Sequence, residues 1–267
     1  MGSLLDPADL MSLLSPVILS LMLIISRLIG LFLPSPFFSS PQIPSQLKAL
    51  LTFMIALLLL GPVGINHNLE NLHVLHYTGL IIVELGIGVI IGMLLMLIFS
   101  GIEFAGRLFG IQMGFAVANV VDPTTSQQIG VLSQLIRFIF FFVFFAIDGH
   151  LMLLQSLFVS FQMLELGGGT LNIVAISDDV IGVGSQLFRV AMRIALPISC
   201  SVLLINTGLA ALARTTPQLN IFMVGFMLNI GAGLFMLTVA IPSFVPLFKT
   251  IIFDTFSLIG EVLRQIG

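Results

Sequence analysis

Between residues 10 and 33 the chain runs through 24 positions with a single charge, Arg27. About 20 apolar residues are what an α-helix needs to cross a hydrocarbon core of about 30 Å. Further apolar runs cover residues 49–65, 79–100, 131–164, 187–213 and 221–253. Soluble domains carry about 25% charged residues, whereas this chain carries 8%. So few charges cannot coat a globule of 267 residues, and the chain reads as an integral membrane protein. No run alternates with a period of two, which argues against a β-barrel. The expected fold is all-α, with about six apolar helical segments and some broken helices or hairpins.

The remaining composition narrows the function. A net charge of −3 and no basic run argue against nucleic acid as a partner. The single cysteine, Cys200, excludes an internal disulfide and a thiolate zinc site. It lies in an apolar run and is expected to be a small buried hydrophobe. The start carries Asp6 and Asp9 rather than a basic region, so the first run is expected to stay in the mature protein. "MGSLLD" also misses the myristoylation pattern at Asp6. Membrane bundles usually place Trp and Tyr at both interfaces. Here there is no Trp and one Tyr against 24 Phe, which points to apolar surface that faces other protein.

The loops set an orientation. Lys48, Arg107 and Arg214 fall in alternate connections, while residues 66–78 and 165–186 contain no Lys or Arg. By the positive-inside bias this gives six spans with the N-terminus outside. Arg189 and Arg193, one helical turn apart, fit less well at the outer end of the fifth run, near Asp178 and Asp179. Gly61-Pro62 is expected to close the second run, the polar segment 165–186 to precede the fifth, and Pro242 and Pro246 to break the last. His67, Glu70, His73 and His76 are metal-capable types, but a polar interfacial loop accounts for them, and no metal or other cofactor is expected.

Several residues invite a functional reading. Residues 131–164 would make one helix of about 51 Å, too long for a bilayer core. Asp148-Gly149-His150 lies at the middle. A helix break with Asp148 as N-cap is the structural reading; a proton relay or a metal or catalytic pair is the chemical one. Gly88 and Gly92, and then Gly106, Gly110 and Gly114, are spaced for close helix approach. Residues 110–123 mix Gly, Met and Phe with Asn, and non-helical backbone at membrane depth is tolerated only inside protein or along a cavity. That makes them a candidate pore element, with a tilted packed helix as the alternative. Arg27 inside the first run is either paired and functional or snorkels to the interface. No Walker loop, His-Glu-x-x-His, paired-cysteine or Gly-x-Ser-x-Gly motif is present, so no catalytic residue is assigned and enzyme activity is not expected.

Four pieces in order, "SRLIGLFLPSPFFSSPQIP" (26–44), "GRLFGIQMGFAVANVVDP" (106–123), "FFAIDGHLMLL" (144–154) and "ALPISCSVLLINTGLAALARTTPQLNIFMVGF" (195–226), give the chain its family likeness. Together they resemble the FliR family, the flagellar export-gate membrane proteins, whose injectisome counterpart is the SctT component. The likeness covers nearly the whole chain.

The resemblance implies a core subunit of the flagellar type III protein export gate. With FliP-like and FliQ-like proteins it would form the pore through which unfolded flagellar subunits cross the bacterial inner membrane, within the basal body. It implies a FliP-like part at 1–186, including a plug loop at 106–123, and a FliQ-like hairpin at 187–267. Much of such an assembly stands out of the bilayer plane. The plug would comprise Gly110, Met113, Gly114, Phe115, Val117, Val120 and Asp122. Arg214, Pro217, Gln218 and Asn220 would form a turn facing an FlhB-like partner, with an FlhA-like protein nearby. Export would draw on the proton motive force and a separate ATPase. The competing class is a secondary transporter using Asp148, Glu84 and Arg27 as midplane charges, but no internal repeat supports it.

Overall fold

The structure, a computed structural model, describes residues 7–36, 38–39, 43–67, 69, 72–115, 130–168, 173–216 and 220–266. Among these residues all regular structure is helical. The helices are α1 (Pro7–Phe32), α2 (Ser45–Val63), α3 (Val74–Gln112), α4 (Val131–Ala146), α5 (Gly149–Met163), α6 (Ile173–Thr215) and α7 (Ile221–Ile266). Five are long and apolar enough to cross a membrane, and a sixth span arises when α4 and α5, bent by 67° at their junction, are taken together.

Three helices run further than their sequence suggests. The third apolar run continues through Gly101, Gly106 and Gly110, making α3 39 residues long, about 58 Å. Residues 104–112 are therefore its last turns and not a separate piece. Residues 173–186 are already helical, so α6 reaches 43 residues and Arg189 and Arg193 lie well inside it. Pro242 and Pro246 do not break α7, which extends over 46 residues. A proline removes one backbone bond, and an apolar helix tolerates that where neighbouring groups re-satisfy the freed carbonyls. Helix α2 likewise passes through Gly61-Pro62 and ends at Val63, where Gly64 takes φ 89°.

The chain divides into two compact units. The first comprises Met1–Met96, Leu151–Ile181 and Thr255–Gly267. Its core is supplied by Leu23, Ile24, Leu28 and Leu31 on one face of α1, by Ile87, Ile91 and Leu94 on α3, and by Leu153, Leu157 and Phe161 on α5. The α1–α3 crossing is backbone-close. A Cβ at Gly88 would strike the carbonyl oxygen of Arg27, one at Gly92 that of Leu31, and one at Gly30 that of Leu85. The Gly88/Gly92 step is thus a packing device. Tyr77 donates its hydroxyl to the Leu19 carbonyl at 2.9 Å.

The second unit comprises Leu97–His150 and Gly182–Asp254. Its core is aromatic. Phe99 meets Phe140 edge-on at 4.6 Å between centroids, and Phe140 meets Phe248 at 5.1 Å. Such pairs add about 0.5–1.5 kcal/mol each beyond their burial. A Cβ at Gly106 would lie 2.5 Å from the Ser133 Cα, so α3 and α4 also approach through a glycine.

Candidate functional site

Two places gather residues capable of more than packing. The first is the end of α3. Met113 is fully buried. Its Cγ, Sδ and Cε fill the notch left by Gly233 of α7, where an added Cβ would lie 2.5–2.6 Å from all three atoms. Gly114 then takes φ 95°, a left-handed angle that a side chain would strain. The Phe226 ring stands 3.0 Å from where its Cβ would be. The Phe115 N–H donates to the Gly110 carbonyl at 3.1 Å, closing the helix. Gly110 is buried and Phe115 is half-buried. Helix α3 therefore ends at a glycine hinge whose first side chain is clipped to α7. Val117, Val120 and Asp122 lie outside the described residues.

The second place is the interior of the first unit. Arg27 and Glu84 are 0% and 1% exposed and meet at 2.5 Å between Nε and Oε2. Arg27 Nη1 donates to Ser160 Oγ at 3.0 Å, and Nη2 donates to the Leu164 carbonyl at 3.3 Å. The other carboxylate oxygen, Glu84 Oε1, accepts the Gly167 N–H at 3.0 Å. Phe161 covers the guanidinium, with Cζ 3.9 Å from the ring centroid. Arg27 does not snorkel; it is paired. The glycine crossing makes the pair possible, because Gly88 seats α3 on the Arg27 carbonyl and Glu84 lies one turn away. From the sequence, Glu84 stands out only as a possible transporter charge. The missed signal is that a buried guanidinium requires a carboxylate within reach.

The other sequence-selected residues fall as follows. Asp148 joins α4 to α5, but not as an N-cap. Its φ is 58°, whereas an N-cap takes extended angles. Its N–H donates to the Phe145 carbonyl at 3.1 Å, so it is the left-handed residue that closes α4, as Gly or Asn often does. Gly149 is required, since a Cβ there would lie 2.6 Å from the Phe144 ring. Asp148 and His150 are exposed, and the His150 ring sits 5.3 Å from that of Phe145. Arg214 is exposed at the end of α6. Asn220 Oδ1 accepts the Met223 N–H at 3.3 Å and caps α7. Pro217 and Gln218 lie outside the described residues, as do Glu70 and the side chains of Asp178 and Asp179. Cys200 is exposed rather than buried, on a groove it shares with Gln112 and Asn206.

The model for bacterial export proteins, family 1, matches residues 18–255. The chain belongs to the FliR family. It is 30% identical over 246 residues to the flagellar biosynthetic protein FliR of Pectobacterium carotovorum subsp. carotovorum, covering 90% of this chain and 91% of that one. To the FliR of Escherichia coli (strain K12) it is 27% identical over 242 residues, again 90% and 91%. To that of Bacillus subtilis (strain 168) it is 26% identical over 250 residues, 92% and 93%. The family match takes in all four sequence pieces in full. It therefore includes the clipped end of α3 and the Arg27–Glu84 pair.

Proposed function

We propose that this chain is a core subunit of the flagellar export gate in the inner membrane. It would form, with FliP-like and FliQ-like subunits, the pore that passes unfolded flagellar subunits, and it would meet FlhB-like and FlhA-like proteins of the same apparatus. The observation that carries this is the match, over 90% of the chain, to proteins named for flagellar biosynthesis. Helix lengths support it: α3, α6 and α7 are about twice what a bilayer core needs, which suits a subunit that stands partly out of the membrane. Surface character supports it as well. Leu204, Met227 and Phe235 are 74%, 71% and 67% exposed, and the Asn229 side chain donates to Asn206 on that exposed apolar surface at 2.8 Å. Amides at membrane depth favour a protein neighbour over lipid.

In this reading residues 110–122 are the plug. Met113 tethers it, Gly110 and Gly114 let it swing, and Phe115, Val117 and Val120 supply the apolar constriction, since such constrictions gate by dewetting. The chain's parts at 1–186 and 187–267 would correspond to FliP-like and FliQ-like elements. The transporter alternative is less favoured. Arg27 and Glu84 neutralise each other inside the first unit, with Ser160, Leu164 and Gly167 bonded to the pair, which suits a fixed structural ion pair better than an exchangeable ion site. The test is co-expression with FliP-like and FliQ-like partners followed by purification in mild detergent. A large hetero-oligomer is expected. A chain that elutes alone or as a homodimer beside its folded partners would overturn the proposal.

A further inference from the structure

Helices α3 and α4 are zipped along one line. Phe99 faces Phe140 at 4.6 Å between ring centroids. Arg137 Nη1 donates to Glu103 Oε1 at 3.0 Å. A Cβ on Gly106 would lie 2.5 Å from the Ser133 Cα, and one on Gly110 would lie 3.9 Å from the Leu132 Cβ. The residue number rises on α3 as it falls on α4, so these are successive rungs of one antiparallel contact, all inside the second unit. From residue 99 to residue 110 the contact runs about 16 Å. The chain leaves it after Gly110 and rejoins it at Leu132, and the proposed plug lies between. We propose that Glu103 and Arg137 are positioning residues, whose ion pair keeps α3 and α4 closed at the root of the plug. This rests on the plug reading above.

The rungs differ in what they can hold. Gly106 lets the backbones approach but brings no side chain to the contact. The Phe99–Phe140 contact is edge-on and apolar, with little to fix its register. The charged rung is directional, and a hydrogen bond between ionised groups is roughly twice as strong as a neutral one. Glu103 and Arg137 are 20% and 31% exposed, so water screens the pair only in part. Arg107 Nη2 approaches the same carboxylate at 3.9 Å, but it is 53% exposed and lies one turn along α3 itself. That contact stays within one helix and cannot hold α4. The bridge to Arg137 is therefore the rung whose loss would let the two ends of the connection part.

The experiment measures ion leak in cells that co-express the FliP-like and FliQ-like partners, at equal amounts of assembled complex. Glu103→Lys gathers three cations at the zipper, and Arg137→Glu opposes two acids. Each should raise the leak about fivefold, the shift that one partly exposed pair can supply. Glu103→Lys combined with Arg137→Glu should return the leak to near wild type, and Arg107→Gln should not raise it. Gly110→Cys with Leu132→Cys, added to Glu103→Lys in a Cys200→Ser background, uses the Cβ separation that a disulfide spans, about 3.5–4.5 Å. Oxidation should close the leak and reduction should reopen it. Tight single variants overturn the proposal, as does a leak that neither the charge exchange nor the disulfide removes. Single variants that are lost from the complex, rather than leaky within it, overturn it too, by making the pair a contact of the fold only. Deleting residues 112–118 separates this from the plug reading. A leaky deletion beside a tight Glu103→Lys sinks the role of the pair alone, whereas a tight deletion sinks the plug reading and the pair's role with it.

Discussion

Arg27 and Glu84 carry opposite charges where neither reaches water, and each also bonds elsewhere: Arg27 to the Ser160 hydroxyl and the Leu164 carbonyl, Glu84 to the Gly167 N–H. Removing one partner leaves an unpaired buried charge, which costs about 3–5 kcal/mol. Arg27→Ala and Glu84→Ala are therefore each expected to lower the amount of folded protein sharply. Arg27→Met combined with Glu84→Met should recover most of it, because an apolar pair of similar volume replaces an ion pair at little cost. Thermal unfolding in detergent checks this; a double variant no better than the singles would show that the charges do more than hold the fold. Asp148 poses a different problem. Its left-handed φ is tolerated by Asn and Gly but strained for a β-branched residue by about 1–3 kcal/mol. Asp148→Asn should keep secretion near wild type at equal membrane levels, and Asp148→Ile should lose protein. Loss of secretion in a fully assembled Asp148→Asn complex would instead assign a titrating role to this carboxylate.

Helices α1 and α3 meet backbone to backbone, and that contact sets the register of the ion pair. Gly88→Leu must push α3 off the Arg27 carbonyl and carry Glu84 with it. The expected outcome is loss of folded protein, while Gly79→Leu, where a Cβ meets nothing within 4 Å, should be tolerated. Membrane levels of the two variants, measured side by side, decide the matter. The α6–α7 turn gives the topology its test. With Cys200→Ser as background, cysteines at Thr215 and Thr216 should react with an impermeant reagent only in inside-out vesicles. The background change is needed because Cys200 is exposed and would itself react. Labelling from the outer side would reverse the orientation inferred from Arg214.

If the chain forms the proposed export gate, the assembly must hold ions back while closed, and the plug reading makes this measurable. Deleting residues 112–118 should leave the hetero-oligomer intact but leaky to small ions. Phe115→Ala should leak less than the deletion. Gly233→Val evicts the Met113 side chain from its notch and should leak although it lies far along the chain from the plug. Gly114→Leu, placed at φ 95° against Phe226, should lower secretion without leakage. Ion permeability in cells that also express the partners is the measurement. An assembled deletion as tight as wild type would reduce the segment to ordinary helix packing.

Apolar run length and the scarcity of charge were sufficient to fix an all-α membrane protein, because both report the solvent each segment meets. Glycine spacing was legible for the same local reason: Gly88 and Gly92 share one helix face wherever the partner lies. Arg27 could be singled out, but its partner stands 57 residues away, and no periodicity reports a contact at that distance. The tertiary structure also decided what local rules misjudge. Pro242 and Pro246 end helices in water but not in an apolar helix where lost backbone bonds are re-satisfied by neighbours. Asp148 has the side chain of an N-cap, yet the turn needs its backbone in the left-handed region. Cys200 and Met113 both sit among apolar residues, and only the packing of α3, α6 and α7 leaves one exposed and buries the other against a glycine. In each case the deciding contact is non-local, and a sequence displays only the chemistry available to make it.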